Sequence, residues 1–201
     1  MLIKETEQFV KTFHANDFSG HDYAHIERVR KMALQIATRE GGDVRIIELA
    51  ALLHDVADSK IGGTSSRVDS YLTPRVSTTD RHHILDIINS MSFKGGDRPP
   101  MQTLEGKIVQ DADRLDAIGA IGIARTFQFA GQFKEPMYRP ELTARQAGDR
   151  TSPTSALHHF EEKLLRLKDL MNTQTAKTMA EDRHEYMVKF VERFKEEWSG
   201  D

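Results

Sequence analysis

Apolar residues recur along this chain in steps of three and four, the spacing of one face of an α-helix. Ile3, Phe9, Val10 and Phe13 predict a short amphipathic helix over 2–15, ended by Asn16-Asp17-Phe18-Ser19-Gly20. Ile26, Val29, Met32, Ala33, Ile36 and Ala37 predict a second from His21 to about Arg39, closed by Gly41-Gly42. Asp43 can cap a third, which carries the apolar run Leu49-Ala50-Ala51-Leu52-Leu53 into His54-Asp55. A glycine-containing loop, Lys60-Ile61-Gly62-Gly63-Thr64-Ser65-Ser66, follows. Short helices are expected over 67–72, stopped by Pro74, and over 79–91, with Ile84, Ile87, Ile88 and Met91 in register. Lys94-Gly95-Gly96-Asp97-Arg98-Pro99-Pro100 breaks the pattern. Residues 105–129 read as one long helix or two joined ones, whose small residues allow close packing. Residues 131–153 hold three of the six prolines and little periodicity, so they read as a long ordered loop covering something, or a lid. Two charged amphipathic helices are expected over 155–171 and 175–198. No run alternates with the two-residue period of a strand, and no repeat or low-complexity tract appears. The fold class is all-α.

The 201 residues, 38% of them hydrophobic, suffice for one domain with a substantial core. The expectation is a single domain over 1–201, with its core at about 20–130 and the C-terminal helices, about 155–198, packing on it. A net charge of −3 offers no global attraction to nucleic acid or an anionic membrane. There is no cysteine, which excludes disulfides, thiolate nucleophiles and thiolate metal sites. Any metal must be held by histidine and carboxylate. The start, Met1-Leu2-Ile3-Lys4-Glu5-Thr6-Glu7, lacks a basic segment before an apolar one, and no apolar run approaches membrane-spanning length. A cytoplasmic protein with neither nucleic-acid nor membrane partners is expected; homo-oligomerisation stays open.

The chemistry concentrates at His54-Asp55. If the helix continues, Asp58 lies four positions after His54 and three after Asp55, so an imidazole and two carboxylates share one turn. Burying such a cluster without a cation is costly, because desolvation and like charge both oppose ionisation. His21, His25 and Arg28 are spaced to face one side of the second helix. On 108–117, Asp113 and Asp116 share a face, whereas Asp111 points nearly opposite Asp113, so only one of Asp111 and Asp113 can reach an inward-facing ion. Salt bridges from Asp113 and Asp116 to Arg114 and Arg125 are the plain alternative. Ile108, Val109, Leu115, Ile118 and Ile121 weigh against it, since they mark a helix where unpaired carboxylates are expensive.

His25, then His54-Asp55, then Asp113, in that order, resembles the HD-domain metal-dependent phosphohydrolases. The wording of His21-Asp22-Tyr23-Ala24-His25-Ile26-Glu27-Arg28-Val29, of Leu53-His54-Asp55-Val56-Ala57-Asp58-Ser59-Lys60, of Ser92-Phe93-Lys94-Gly95-Gly96 and of Val109-Gln110-Asp111-Ala112-Asp113-Arg114-Leu115-Asp116-Ala117-Ile118-Gly119-Ala120 is similar to a bacterial branch. That branch includes the pyrophosphohydrolases of deoxynucleoside triphosphates. Residues 160–171 are similar to it too, so nearly the whole chain is covered. The sequence departs from the branch at His158, where asparagine usually precedes His159-Phe160, and in the glycine-rich loop after Lys60.

The resemblance implies an HD-type helical bundle with metal ligands at His25, His54, Asp55 and Asp113 and a general acid or base at Asp58. Two imidazoles and two carboxylates suit Mn, Mg, Fe, Co, Ni or Zn, and manganese is the expected ion. His21, Arg28, Lys60 and Lys94 stand close enough in sequence to offset a triphosphate's charge. His159 is a further candidate for substrate contact. The implied reaction is cleavage of a nucleotide or related phosphate ester, a triphosphate yielding monophosphate and pyrophosphate. The alternatives are a nucleotidase or phosphodiesterase acting on monophosphates, cyclic nucleotides or an alarmone, and a nucleotide-sensing module without turnover.

Overall fold

The computed structural model of the chain describes residues 1–17, 20–58, 62–91, 101–146, 149 and 151–201. Among these, regular structure is helical throughout, as the periodicity predicts. The chain divides into two compact units, Met1–Asp113 and Arg114–Asp201.

The first unit is built on α3 (Val44–Leu53), which packs against α1 (Leu2–Phe13), α2 (Tyr23–Glu40) and α5 (Thr78–Ser90). A helix apolar on all sides must sit in the interior, and Ile46, Ile47 and every residue of 49–53 are buried. Asp43 caps its start, its Oδ1 accepting from the backbone N–H of Arg45 at 2.9 Å and of Ile46 at 3.2 Å. Glu48, half-buried on this helix, accepts from Arg30 Nε on α2 at 2.8 Å, and the same guanidinium reaches Glu7 on α1. One arginine thus ties three helices together. Val10, Ile26, Val29, Ala33, Ile36, Ile84 and Ile87 fill the space around α3. The short α4 (Ser65–Leu72) packs beside α5.

The stretch expected as one helix or two is two: α6 (Leu104–Asp116) and α7 (Gly119–Gln132). Gly119 turns the chain between them at φ +74°, where a Cβ would be strained and would lie 3.0 Å from Arg183 Cγ. In the second unit α7 packs on α9 (Gln174–Ser199), and Phe127 gathers Phe160, Phe190 and Phe194 with ring centroids 5.8–6.3 Å away. The connection after α7 closes on itself, since the N–H groups of Ala156 and Leu157 donate to the carbonyls of Pro136 and Met137. No helix of the described residues is long and apolar enough to cross a membrane.

One expected helix is not continuous. Residues 155–171 form α8 (His158–Glu162) and a 3₁₀ turn (Leu164–Leu170), with Lys163 out of helical geometry between them. A three-residue period eclipses Leu164 and Leu167, and both are buried. Over so short a span, steps of three fit either helix.

Candidate metal centre

The apolar run of α3 ends at Leu53, where the chain tightens into a 3₁₀ turn, His54–Ala57, that presents His54 and Asp55 from a buried position. The α-helix does not continue to Asp58, so the three residues do not share one α-turn. Asp58 is extended, at φ −76° and ψ 117°. The reason lies in the returning loop: Gly63 N–H donates to the Asp58 carbonyl at 2.8 Å and Thr64 N–H to that of Val56 at 3.1 Å. A Cβ on Gly63 would stand 2.4 Å from the Val56 oxygen, so only glycine allows this approach.

His21 also departs from the helical expectation. The second helix starts at Tyr23, and Asp22 caps it by accepting from His25 N–H at 2.9 Å. His21 stands before the cap, and its Nδ1 lies 2.8 Å from Asp55 Oδ2. His25, fully buried on α2, brings Nε2 within 3.3 Å of His54 Nε2 and 3.4 Å of Asp55 Oδ2. Asp113 approaches from α6, its Oδ1 3.7 Å from His25 Nε2 and 3.9 Å from His54 Nε2. His54 Nε2 lies 3.4 Å from Asp55 Oδ1. Four side chains from three separate segments therefore converge on one point.

Protonation follows from the neighbours. His54 Nδ1 is 2.8 Å from the Ala51 carbonyl, which only accepts, so that nitrogen carries the proton and Nε2 keeps its lone pair toward the cluster. Burial pushes the Asp55 carboxyl up, but the charge that His54 carries when protonated and the hydrogen bonds of His21 and His25 outweigh it and hold the group well below the usual carboxylate range. An ion with bonds of about 2.1 Å places adjacent donors roughly 3.0–3.4 Å apart. The His25–His54 and histidine–Asp55 distances of 3.3–3.4 Å fall in this range, and Asp113 Oδ1 stands a little further from both rings, at 3.7 and 3.9 Å. Nitrogen and oxygen donors without sulfur suit a divalent first-row ion or magnesium.

Arg28 is half-buried on α2 and is no member of the donor groups. Neither is Asp58; among the described residues the groups able to hold an ion are His21, His25 and Asp55, and His25, His54 and Asp113. Lys60 and Lys94 lie outside the described residues. His159 stands in the second unit, its Nδ1 3.9 Å from Glu162. His158, the departure from the branch, is buried against Ser155 Oγ at 2.7 Å. The two acids of α6 take different roles: Asp116 pairs with Arg125 at 2.9 Å, whereas Asp113 turns to the histidines.

Sequence reasoning missed His14. It is 3% exposed, neither ring nitrogen meets a hydrogen-bond partner, and Asp55 and His54 are among the charges acting on it. Its signal was in the spacing, since Thr6, Val10 and His14 are all buried at steps of four.

Residues 22–118 match the family model of the HD domain. The chain is 40% identical to YpgQ of Bacillus subtilis, over 98% of this chain and 96% of that protein. The crystal structure of YpgQ in complex with ADP superposes with a TM-score of 0.78, covering 97% of each chain. An HD-superfamily hydrolase from Bacillus thuringiensis is 46% identical, with a TM-score of 0.78 over 99% of this chain and 97% of that one. A crystal structure from Lactobacillus plantarum, 38% identical, reaches 0.87 over 99% and 97%.

Proposed function

Because this chain belongs to the HD-domain family, whose members here include HD-superfamily hydrolases, we propose that within the metal-dependent phosphohydrolases it is a nucleotide pyrophosphohydrolase. Its substrate on this reading is a nucleoside triphosphate, most favourably a deoxynucleoside triphosphate. The supporting observation is the approach of His25 Nε2, His54 Nε2, Asp55 and Asp113 Oδ1 to one another at 3.3–3.9 Å, where among the described residues the ion-pair partners of the two acids are histidines. These four residues would hold the ion, which we take to be manganese. When bound, a divalent cation lowers the pKa of a water and polarises the phosphoryl group.

The protein's own groups do the rest. Ala51 fixes the His54 tautomer, so its Nε2 needs no proton loss before accepting a cation. Asp58, one residue past the turn, accepts the proton of the attacking water at its carboxylate. Arg28, Lys60 and Lys94 offset phosphate charge. Water adds to the α-phosphorus, the bond from that phosphorus to the oxygen bridging toward the β-phosphate breaks, and pyrophosphate leaves with the electron pair. The ADP held by YpgQ, a 40% identical protein, supports a nucleotide as the ligand class.

The test is product analysis on a panel of ribo- and deoxynucleotides with Mn²⁺ added. Monophosphate and pyrophosphate in equal amounts are expected. Inorganic phosphate as the sole released product would point to a nucleotidase, and nucleotide binding without turnover to a sensing module. Asp58→Asn should keep the metal and lose hydrolysis.

A further inference from the structure

His21 is the one histidine near the centre that the helix does not carry, and its setting is fixed from both sides. Asp17 Oδ1 accepts its backbone N–H at 3.1 Å, and the following residue, Asp22, caps α2. Its ring stands edge-on to His25, 5.8 Å between centroids. Nδ1 meets Asp55 Oδ2 at 2.8 Å, and because a carboxylate only accepts, that nitrogen carries a proton. The interaction fixes the carboxylate so that Oδ1 stands 3.4 Å from His54 Nε2 and Oδ2 3.4 Å from His25 Nε2.

Two roles compete for this ring. The sequence pattern suggests a phosphate contact, and the proximity of His21, His25 and Asp55 suggests a metal ligand. The Nδ1 proton is already given to Asp55 at 2.8 Å, so that atom is not the one offered to a phosphate oxygen. Coordination through Nδ1 would require breaking the hydrogen bond to Asp55. We propose that His21 is a positioning residue: through its Nδ1 hydrogen bond it fixes the Asp55 carboxylate beside His25 and His54, and it does not itself ligate the ion. This rests on reading the cluster as an ion site. It is the carboxylate counterpart of the outer partner that Ala51 supplies to His54.

The experiment measures Mn²⁺ affinity calorimetrically in the chelator-stripped full chain, for the parent, His21→Leu and His21→Asn. Outer partners of metal ligands typically contribute about 10–100-fold in affinity, and His21→Leu should lose that much. His21→Asn, whose amide N–H falls where Nδ1 stood, should restore most of it. Both variants should remain folded in chelator, with His21→Asn close to the parent's unfolding temperature and His21→Leu below it because Asp55 loses a donor. An undiminished affinity in His21→Leu overturns the proposal. An equal loss in both variants does so too, since it makes the ring itself a ligand. The readout is ion binding, so a parent that binds Mn²⁺ yet releases no pyrophosphate counts against the proposed reaction and not against this role.

Discussion

In the second unit, Asp116 is 4% exposed and faces Arg125 at 2.9 Å, and Glu162 accepts from Arg145 at 2.9 Å and from Thr154 Oγ1 at 2.8 Å. Burial pushes the Glu162 carboxyl up, but the His159, Arg145 and Thr154 contacts hold it well below the carboxylate range. In the first unit, Asp55 is as deeply placed, and its described partners are imidazoles: His21, His25 and His54. Desolvating a carboxylate is offset in the second unit by a guanidinium supplied by the chain itself. Around Asp55 the same offset is left to groups whose charge depends on protonation and whose lone pairs suit a cation. The contrast separates acids that hold the protein together from acids that hold something else.

The sharpest way to break that contrast is to neutralise one acid of each kind. Asp55→Asn should abolish stoichiometric Mn²⁺ binding and lower hydrolysis by more than about 100-fold, beyond what loss of an outer partner causes; metal content and pyrophosphate release measure it. Arg125→Ala should leave the first-unit ion affinity at the parent's value. It should cost about 2 kcal/mol of folding stability, because the buried Asp116 loses a charge-assisted hydrogen bond. Urea unfolding reads that cost. A parent-like Asp55→Asn would remove the distinction between the two kinds of acid.

The distinction was only partly legible in the sequence. Helical period, the Asp43 cap and the glycines after α2 each act over a few residues, so the element order could be read locally. The residues that come together at the centre stood out through residue type and spacing. Asp113 and Asp116 share a face by helical angle, and no local rule says which of them finds Arg125; that choice depends on contacts made after folding. The His21 to Asp55 contact spans 34 residues and left no periodic trace. The end of α3 at Leu53 was hidden because His54–Ala57 continues the turn with a tighter period, and the backbone bonds that fix it come from Gly63 and Thr64. The boundary between the units falls inside α6, where composition does not change.

Ligand addition tests the same comparison without a mutation. Mn²⁺ at 100 times its dissociation constant should stabilise the protein by about 2.7 kcal/mol, a rise of roughly 5–10 °C in Tm for a chain of this size. EDTA should reverse it. The Asp55→Asn variant should show no such rise, and Arg125→Ala should show all of it from a lower starting point. A metal-independent Tm in the parent would count against the centre.

The smallest expected effect concerns His14, a buried polar group of the first unit whose ring nitrogens make no hydrogen bond of normal geometry among the described residues, the His21 backbone acting on it more weakly. Burial lowers its pKa from the ordinary 6.5, against the opposing pull of Asp55 and the His21 backbone. The ring is then neutral in the folded chain and takes up a proton more readily once unfolded. Stability from this group is complete above about pH 6.5 and declines as the pH falls through the lower folded value, because there the unfolded chain binds the extra proton. His14→Leu removes both the unpaired nitrogens and that proton linkage. It should raise stability by about 1–2 kcal/mol at pH 7.5, the order of the cost of an unsatisfied buried group, and by more at pH 5.5. Urea unfolding at the two pH values, in Mn²⁺, measures both terms. A variant less stable than the parent at pH 7.5 would mean that the ring acquires a polar partner when the ion is present, and His14 would then belong with Asp55 among the residues that hold something else.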